Sequence, residues 1–124
     1  MKILQMLLVL SILSGCAAVD TVKKYWPRAH DPVMFNHLVE LDRILESVDC
    51  NKPDWGDDWN LMQMGSAHLA RYTEWRHDPQ AENIKGLHAH TVRMGKGGSQ
   101  KFCELGIKTA TQRINAAKSA WEGR

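Results

Sequence analysis

From Ser99 to Trp121 the chain reads SQKFCELGIKTATQRINAAKSAW. Cys103, Ile107, Ala110, Ile114, Ala117 and Trp121 recur at spacings of 4, 3, 4, 3 and 4. That period places all six on one side of an α-helix and leaves the polar residues between them for solvent. Ser99 supplies a side-chain oxygen for the first unpaired backbone N–H groups, so the spacing predicts a capped helix from Ser99 onward.

The same reading extends upstream. Asp31-Pro32 is a helix start, with Asp as the cap and Pro at a position whose N–H would be unpaired anyway. Met34, Leu38, Leu41, Leu45 and Val48 then form one apolar stripe, which predicts a first helix over about 32–49 with Cys50 at its end. Asn51-Lys52-Pro53-Asp54 is a turn. Trp55 opens a second helix that runs to about His77, with Asp57 and Asp58 near its positive dipole end. Its stripe is Trp59, Met62, Leu69 and Tyr72, widened by Leu61 and Trp75. Asp78-Pro79 repeats the start signal, and Ile84, Leu87, Thr91 and Met94 form a third stripe that ends at Gly95-Lys96-Gly97-Gly98. Four helices with short connections pack most simply as an up-down-up-down bundle. No strand-like alternation of useful length interrupts them.

The 124 residues suffice for a single domain of ordinary size. Sixteen basic residues against fourteen acidic ones give +2, without the concentrated positive charge that nucleic-acid binding requires. The expected organisation is a signal over 1–15, a modified Cys16 with a tether to residue 30, and the bundle over 31–124.

The amino terminus carries the clearest functional signal. Lys2 precedes an apolar run from Ile3 to Leu13, broken only by Gln5 and Ser11, and Leu13-Ser14-Gly15-Cys16 follows. A basic start, a short apolar run and small residues describe a secretory signal, and the run is shorter than the ~20 residues needed to span a bilayer. This stretch resembles a bacterial lipoprotein signal, with Leu-Ser-Gly-Cys as its lipobox. The resemblance covers residues 1–16. It implies a diacylglycerol on the Cys16 thiol, cleavage before Cys16 and acylation of the new amine. Ala17 rather than Asp follows the cysteine. By resemblance to sorted lipoproteins, this implies the periplasmic face of a Gram-negative outer membrane. Cleavage would remove Lys2 alone among the charged side chains, leaving fifteen basic against fourteen acidic, or +1. The tether of fourteen residues spans at most about 50 Å and includes Trp26, which suits either a membrane interface or a solvent-exposed or domain-packed position.

With Cys16 assigned to lipid, Cys50 and Cys103 remain. An even count in an exported domain predicts a disulfide, and neither residue belongs to a C-x-x-C metal pair. In the bundle, helix 1 ends where helix 4 begins, so the two cysteines meet at one end. The bridge would close a loop of about 54 residues and stabilise the domain by about 4 kcal/mol in the chain-entropy model.

The remaining motifs are weak. His88-x-His90 would converge only from a strand, since on a helix the two side chains point about 200° apart. H-E-x-x-H and C-x-x-C-H motifs are absent. A haem in the bundle core could use His68 with a methionine. Asp54, Asp57, Asp58 and Asn60 lack the spacing of a calcium loop. The Gly-rich loop 95–98 lacks phosphate-loop spacing, and no nucleophile elbow occurs. His30, Asp31, His77 and Asp78 gather at the bundle end opposite the disulfide. Trp26–Pro32 and Trp75–Pro79 both end in His-Asp-Pro, read here as the same helix cap chosen twice. Of the five tryptophans, Trp55 and Trp59 are the candidates for a partner-binding surface.

These observations predict a lipid-anchored envelope protein with a binding or structural role, no catalytic activity and no cofactor or metal. Its expected partners are the membrane, through the anchor, and an envelope protein whose identity the sequence does not give. One alternative is a phage-encoded lipoprotein acting on the host envelope, in lysis or in exclusion of competing phage. A second is a haem- or metal-binding bundle.

Overall fold

The structure, a computed structural model, describes residues 30–124, and all of its regular elements are helical. Four α-helices follow one another: α1 (Pro32–Glu46), α2 (Asn60–Trp75), α3 (Ala81–Met94) and α4 (Gln100–Glu122). A 3-10 turn, Trp55–Trp59, leads into α2. Cys16 and Trp26, and with them the expected anchor and tether, lie outside the described residues.

Each helix packs on its neighbours in the chain, and α4 closes the ring against α1. The ends fix the directions. The Cys50–Cys103 disulfide joins the end of α1 to the start of α4, with 5.6 Å between Cα atoms. Tyr72, near the end of α2, donates to Asp31 at the start of α1. Trp121, near the end of α4, donates to Asp78 before α3. Neighbouring helices are therefore antiparallel, as in an up-down-up-down bundle.

The stripes of α1, α3 and α4 face inward as the spacing predicts. Met34, Leu38, Leu41, Leu45 and Val48 are buried from the first, and Ile84, Leu87, Thr91 and Met94 from the third. In α4, Cys103, Ala110, Ile114, Ala117 and Trp121 are buried, while Ile107 is partly covered. Each fully buried large side chain contributes roughly 1.5–3 kcal/mol. Asp31 caps α1 by accepting from the N–H groups of Val33 and Met34, and Ser99 caps α4 by accepting from Phe102 N–H.

Three boundaries differ from the sequence reading. Helix α1 stops at Glu46 rather than at about 49, because Ser47 folds its Oγ back onto the Ile44 carbonyl. Val48 nevertheless stays buried just past the helix end. The second helix is split. The Trp55–Trp59 segment winds as a 3-10 turn wedged against the loop between α3 and α4, where a Cβ on Gly56 would lie 2.9 Å from the Gly95 carbonyl oxygen. Helix α3 begins at Ala81, after Asp78 has closed a turn by accepting from the Gln80 and Ala81 N–H groups.

Candidate functional site

The disulfide end contains the two tryptophans that the sequence reading assigned to a surface. The structure places both in the core, which corrects the surface reading and agrees with the position of Trp59 in the apolar stripe of the second helix. Trp55 is 2% exposed and Trp59 fully buried. Trp55 directs its Nε1–H to the Gly98 carbonyl at 3.2 Å, pinning the 3-10 turn to the loop before α4. Trp59 meets the His90 ring edge-on at 5.9 Å, and its Nε1–H has no hydrogen-bond partner. Both indoles belong to the core. Beside them, Cys50, Asn51, Lys52, Trp55, Gly98 and Gln100 line an open cleft of about 220 Å³. Cys103 is fully buried, and Cys50 is the half-buried partner of the bridge.

The tryptophan that does reach solvent is Trp75, 79% exposed near the end of α2. Leu61 and Met64, on the same helix, are 58% and 69% exposed. The sequence reading assigned Leu61 and Trp75 to the buried stripe, and the structure overturns this. With the exposed His68 and Arg71 they form a second row, Leu61, Met64, His68, Arg71 and Trp75, at spacings of 3, 4, 3 and 4. The core row of α2 is instead Met62, Ser66, Leu69 and Thr73. The two rows share one helical period and differ only in phase, so α2 is apolar on two sides. That second row was available in the sequence, but it merged there with the core stripe.

The His68 ring lies against His37 of α1, centroids 4.9 Å apart and planes tilted by 55°, at the surface. It is therefore misplaced for the core haem considered from the sequence. His68, Arg71, Tyr72 and Trp75 together line a shallow, mostly apolar hollow of about 130 Å³.

The other histidines have structural partners. His90 is buried and its Nε2 lies 2.8 Å from the Gly106 carbonyl of α4. A carbonyl only accepts, so Nε2 carries the proton and donates. Burial lowers the pKa of His90, aided by Arg93 and Arg113 and opposed by the bond to Gly106. Residue 106 is a glycine where α3 and α4 touch: a Cβ there would collide with Met94. His88 Nδ1 lies 3.2 Å from Ser66 Oγ, a serine–histidine pair that sequence reasoning did not find. Ser66 is fully buried and also bonds the Gln63 carbonyl and Thr91, so the pair ties α2 to α3 with the serine hydroxyl shielded from solvent.

The acidic residues behave likewise. Asp58 accepts from Asp49 N–H at 3.0 Å and pairs with Lys52. At the opposite end, Asp31 receives Tyr72 Oη at 3.0 Å and faces Arg76, while Asp78 receives Trp121 Nε1 at 3.2 Å and pairs with Arg124. Burial pushes both carboxyls up, but these donors and cations outweigh it and hold both below the usual aspartate value. Among the described residues, no three His, Cys, Asp or Glu side chains converge as metal ligands, and no helix is long and apolar enough to cross a membrane.

Comparison with family models, curated proteins and solved structures returns no match. The outer row of α2, with its hollow beside Trp75, is the feature of this surface best suited to binding.

Proposed function

We propose that this protein is a lipid-anchored envelope lipoprotein. Acyl chains on Cys16 hold the helical domain at the periplasmic face of a Gram-negative outer membrane, where it acts by binding rather than by catalysis. The observation that carries this reading is Leu13-Ser14-Gly15-Cys16 at the end of a short apolar run. The Cys50–Cys103 bridge supports it, since disulfides persist in oxidising compartments such as the periplasm. Several acyl chains anchor stably, because each buried CH₂ contributes about 0.8 kcal/mol. Such an anchor raises the effective concentration of the domain for anything bound to the same membrane.

The test is membrane fractionation of the full chain beside Cys16→Ser, with an intact mass of the mature form. The expected result is acylated Cys16 in the outer-membrane fraction and release of the variant. A processed wild-type chain without acyl groups overturns the reading.

A further inference from the structure

The outer row of α2 is an apolar helix face that no element of the described fold covers. Leu61 and Trp75 lie fourteen residues apart, or about 21 Å at 1.5 Å per residue. The row includes one permanent cation, Arg71, and no carboxylate. Glu74, next to Trp75, is engaged by Lys85 of α3 and also feels the charge of Arg71. A second copy pressed against this face would bury Arg71 without an acidic partner from the same row, which is costly. Charge complementarity favours an occupant that is apolar and anionic together. A phospholipid interface has both, with acyl chains for Leu61, Met64 and the Trp75 ring, and phosphates for Arg71. Tryptophan favours that depth, and arginine extends its stem along apolar surface to reach the headgroups.

The position of the chain entry agrees. Residues 1–29 join the fold at the start of α1, where Asp31 accepts from Tyr72 of α2 itself. The end at which the chain enters the fold and the Trp75 end of the row therefore coincide. Helix α4 makes its contacts with α1 and α3, diagonally across the ring from α2, and its outer face carries the exposed Lys108, Gln112, Asn115 and Ser119, with Phe102 and Leu105 exposed only in its first turns, at the disulfide end.

We propose that the Leu61–Met64–His68–Arg71–Trp75 face of α2 lies on a phospholipid bilayer, so that the domain rests on its side with α4 toward the aqueous phase. This inference rests on the lipoprotein reading and adds the orientation of the domain. An amphipathic helix of this kind lies in the interface plane with its apolar side among the headgroups.

The test uses the full, processed chain in vesicles of phosphatidylethanolamine and phosphatidylglycerol, with a photoreactive benzoylphenylalanine at one position per sample. Met64 and Trp75 are the test positions, Gln112 and Asn115 the opposite face, and Val19 a control beside the anchor. The expected result is phospholipid adducts at positions 64, 75 and 19, with their loss at 112 and 115. Arg71→Glu, at an exposed position, should reduce the adducts at 64 and 75 without changing the helical spectrum. Crosslinked dimers at 64 or 75, adducts to another protein there, equal labelling on both faces, or labelling at 19 alone would each overturn the inference. The intact mass of the same samples reads acylation separately. Acylated Cys16 without adducts at 64 and 75 defeats the docking alone, whereas unmodified Cys16 defeats the anchor and the docking with it.

Discussion

Asp31 and Asp78 close the two halves of the bundle in the same way. Each opens a helical hairpin, each accepts a hydrogen bond from an aromatic side chain near that hairpin's end, and each faces an arginine a few residues further on. Asp31 finds Tyr72 forty-one residues on, and Asp78 finds Trp121 forty-three residues on. The repeated His-Asp-Pro is thus not the same cap chosen twice, since Asp31 caps α1 but Asp78 closes the turn before α3. In both hairpins its aspartate also latches the end of the following helix. The two latches sit at one end of the bundle, and the disulfide holds the other.

The latches differ in depth, which orders the cost of removing them. The Asp78 side chain is fully buried and Arg124 is only 12% exposed, whereas Arg76, facing Asp31, is 43% exposed. Asp78→Ala leaves a shielded guanidinium and the Trp121 N–H unpaired, and should cost about 3–5 kcal/mol. Asp31→Ala mainly loses a cap and the Tyr72 bond, and should cost about 1–2 kcal/mol, because Arg76 turns to solvent. Urea titrations of both variants check the order; an equal or greater loss at Asp31 would refute it.

Acid should destabilise the domain in two stages. His90 has a folded pKa below its ordinary 6.5, because burial disfavours its charged form. The unfolded chain therefore binds a proton at this site before the folded one does. Its contribution to stability is present above about pH 6.5 and is lost as pH falls from there toward the folded value, with a slope of at most about 1.4 kcal/mol per pH unit. Asp31 and Asp78 have folded values below 3.8, so their contribution is present above that point and is lost as pH falls through the folded values. His90→Gln retains a side-chain N–H for the Gly106 carbonyl and cannot titrate. Denaturation midpoints measured from pH 8 to pH 3 should lose the upper stage in this variant and keep the lower one.

The parts of this fold that were legible in the sequence are those with a local period or a local cap. Met34 through Val48, Cys103 through Trp121 and the cap at Ser99 all needed only neighbouring residues to be read. The disulfide was legible from the pair of cysteines left once Cys16 is set aside, and helix count and direction independently bring Cys50 to Cys103. The candidate surface was harder to place. Leu61 and Trp75 stand eleven and three residues from Tyr72, spacings that put all three on one side of the helix, but Tyr72 only borders the core, and packing leaves the other two outside. Trp59 was legible as a stripe residue, whereas the burial of Trp55 was not, because it depends on a 3-10 turn pressed against the loop before α4. That turn requires Gly56 to meet the backbone of Gly95 and Gly97, a contact between segments about forty residues apart. The Ser66–His88 and Asp78–Trp121 pairings are tertiary in the same sense.

His77 offers the reverse test, a site where the sequence works against the backbone. Its φ is +50°, the left-handed region, and it is the only non-glycine among the described residues with positive φ. The conformation is enforced by the end of α2. His77 N–H donates to the Glu74 carbonyl at 3.0 Å and Asp78 N–H to the Thr73 carbonyl at 2.9 Å, the paired bonds that end a helix with a left-handed residue. An L side chain there costs about 1–2 kcal/mol, whereas glycine escapes that strain and forfeits about 0.5–1 kcal/mol of chain entropy. The imidazole is exposed, so removing it sacrifices little packing. His77→Gly should therefore stabilise the domain by about 0.5–1 kcal/mol. His77→Val, with a branched Cβ, should destabilise it. Thermal and urea midpoints of the two variants should move in opposite directions from wild type. If glycine lowers them, the His77 ring has a stabilising contact that outweighs its backbone strain, and the account of how α2 hands Asp78 to its latch must change.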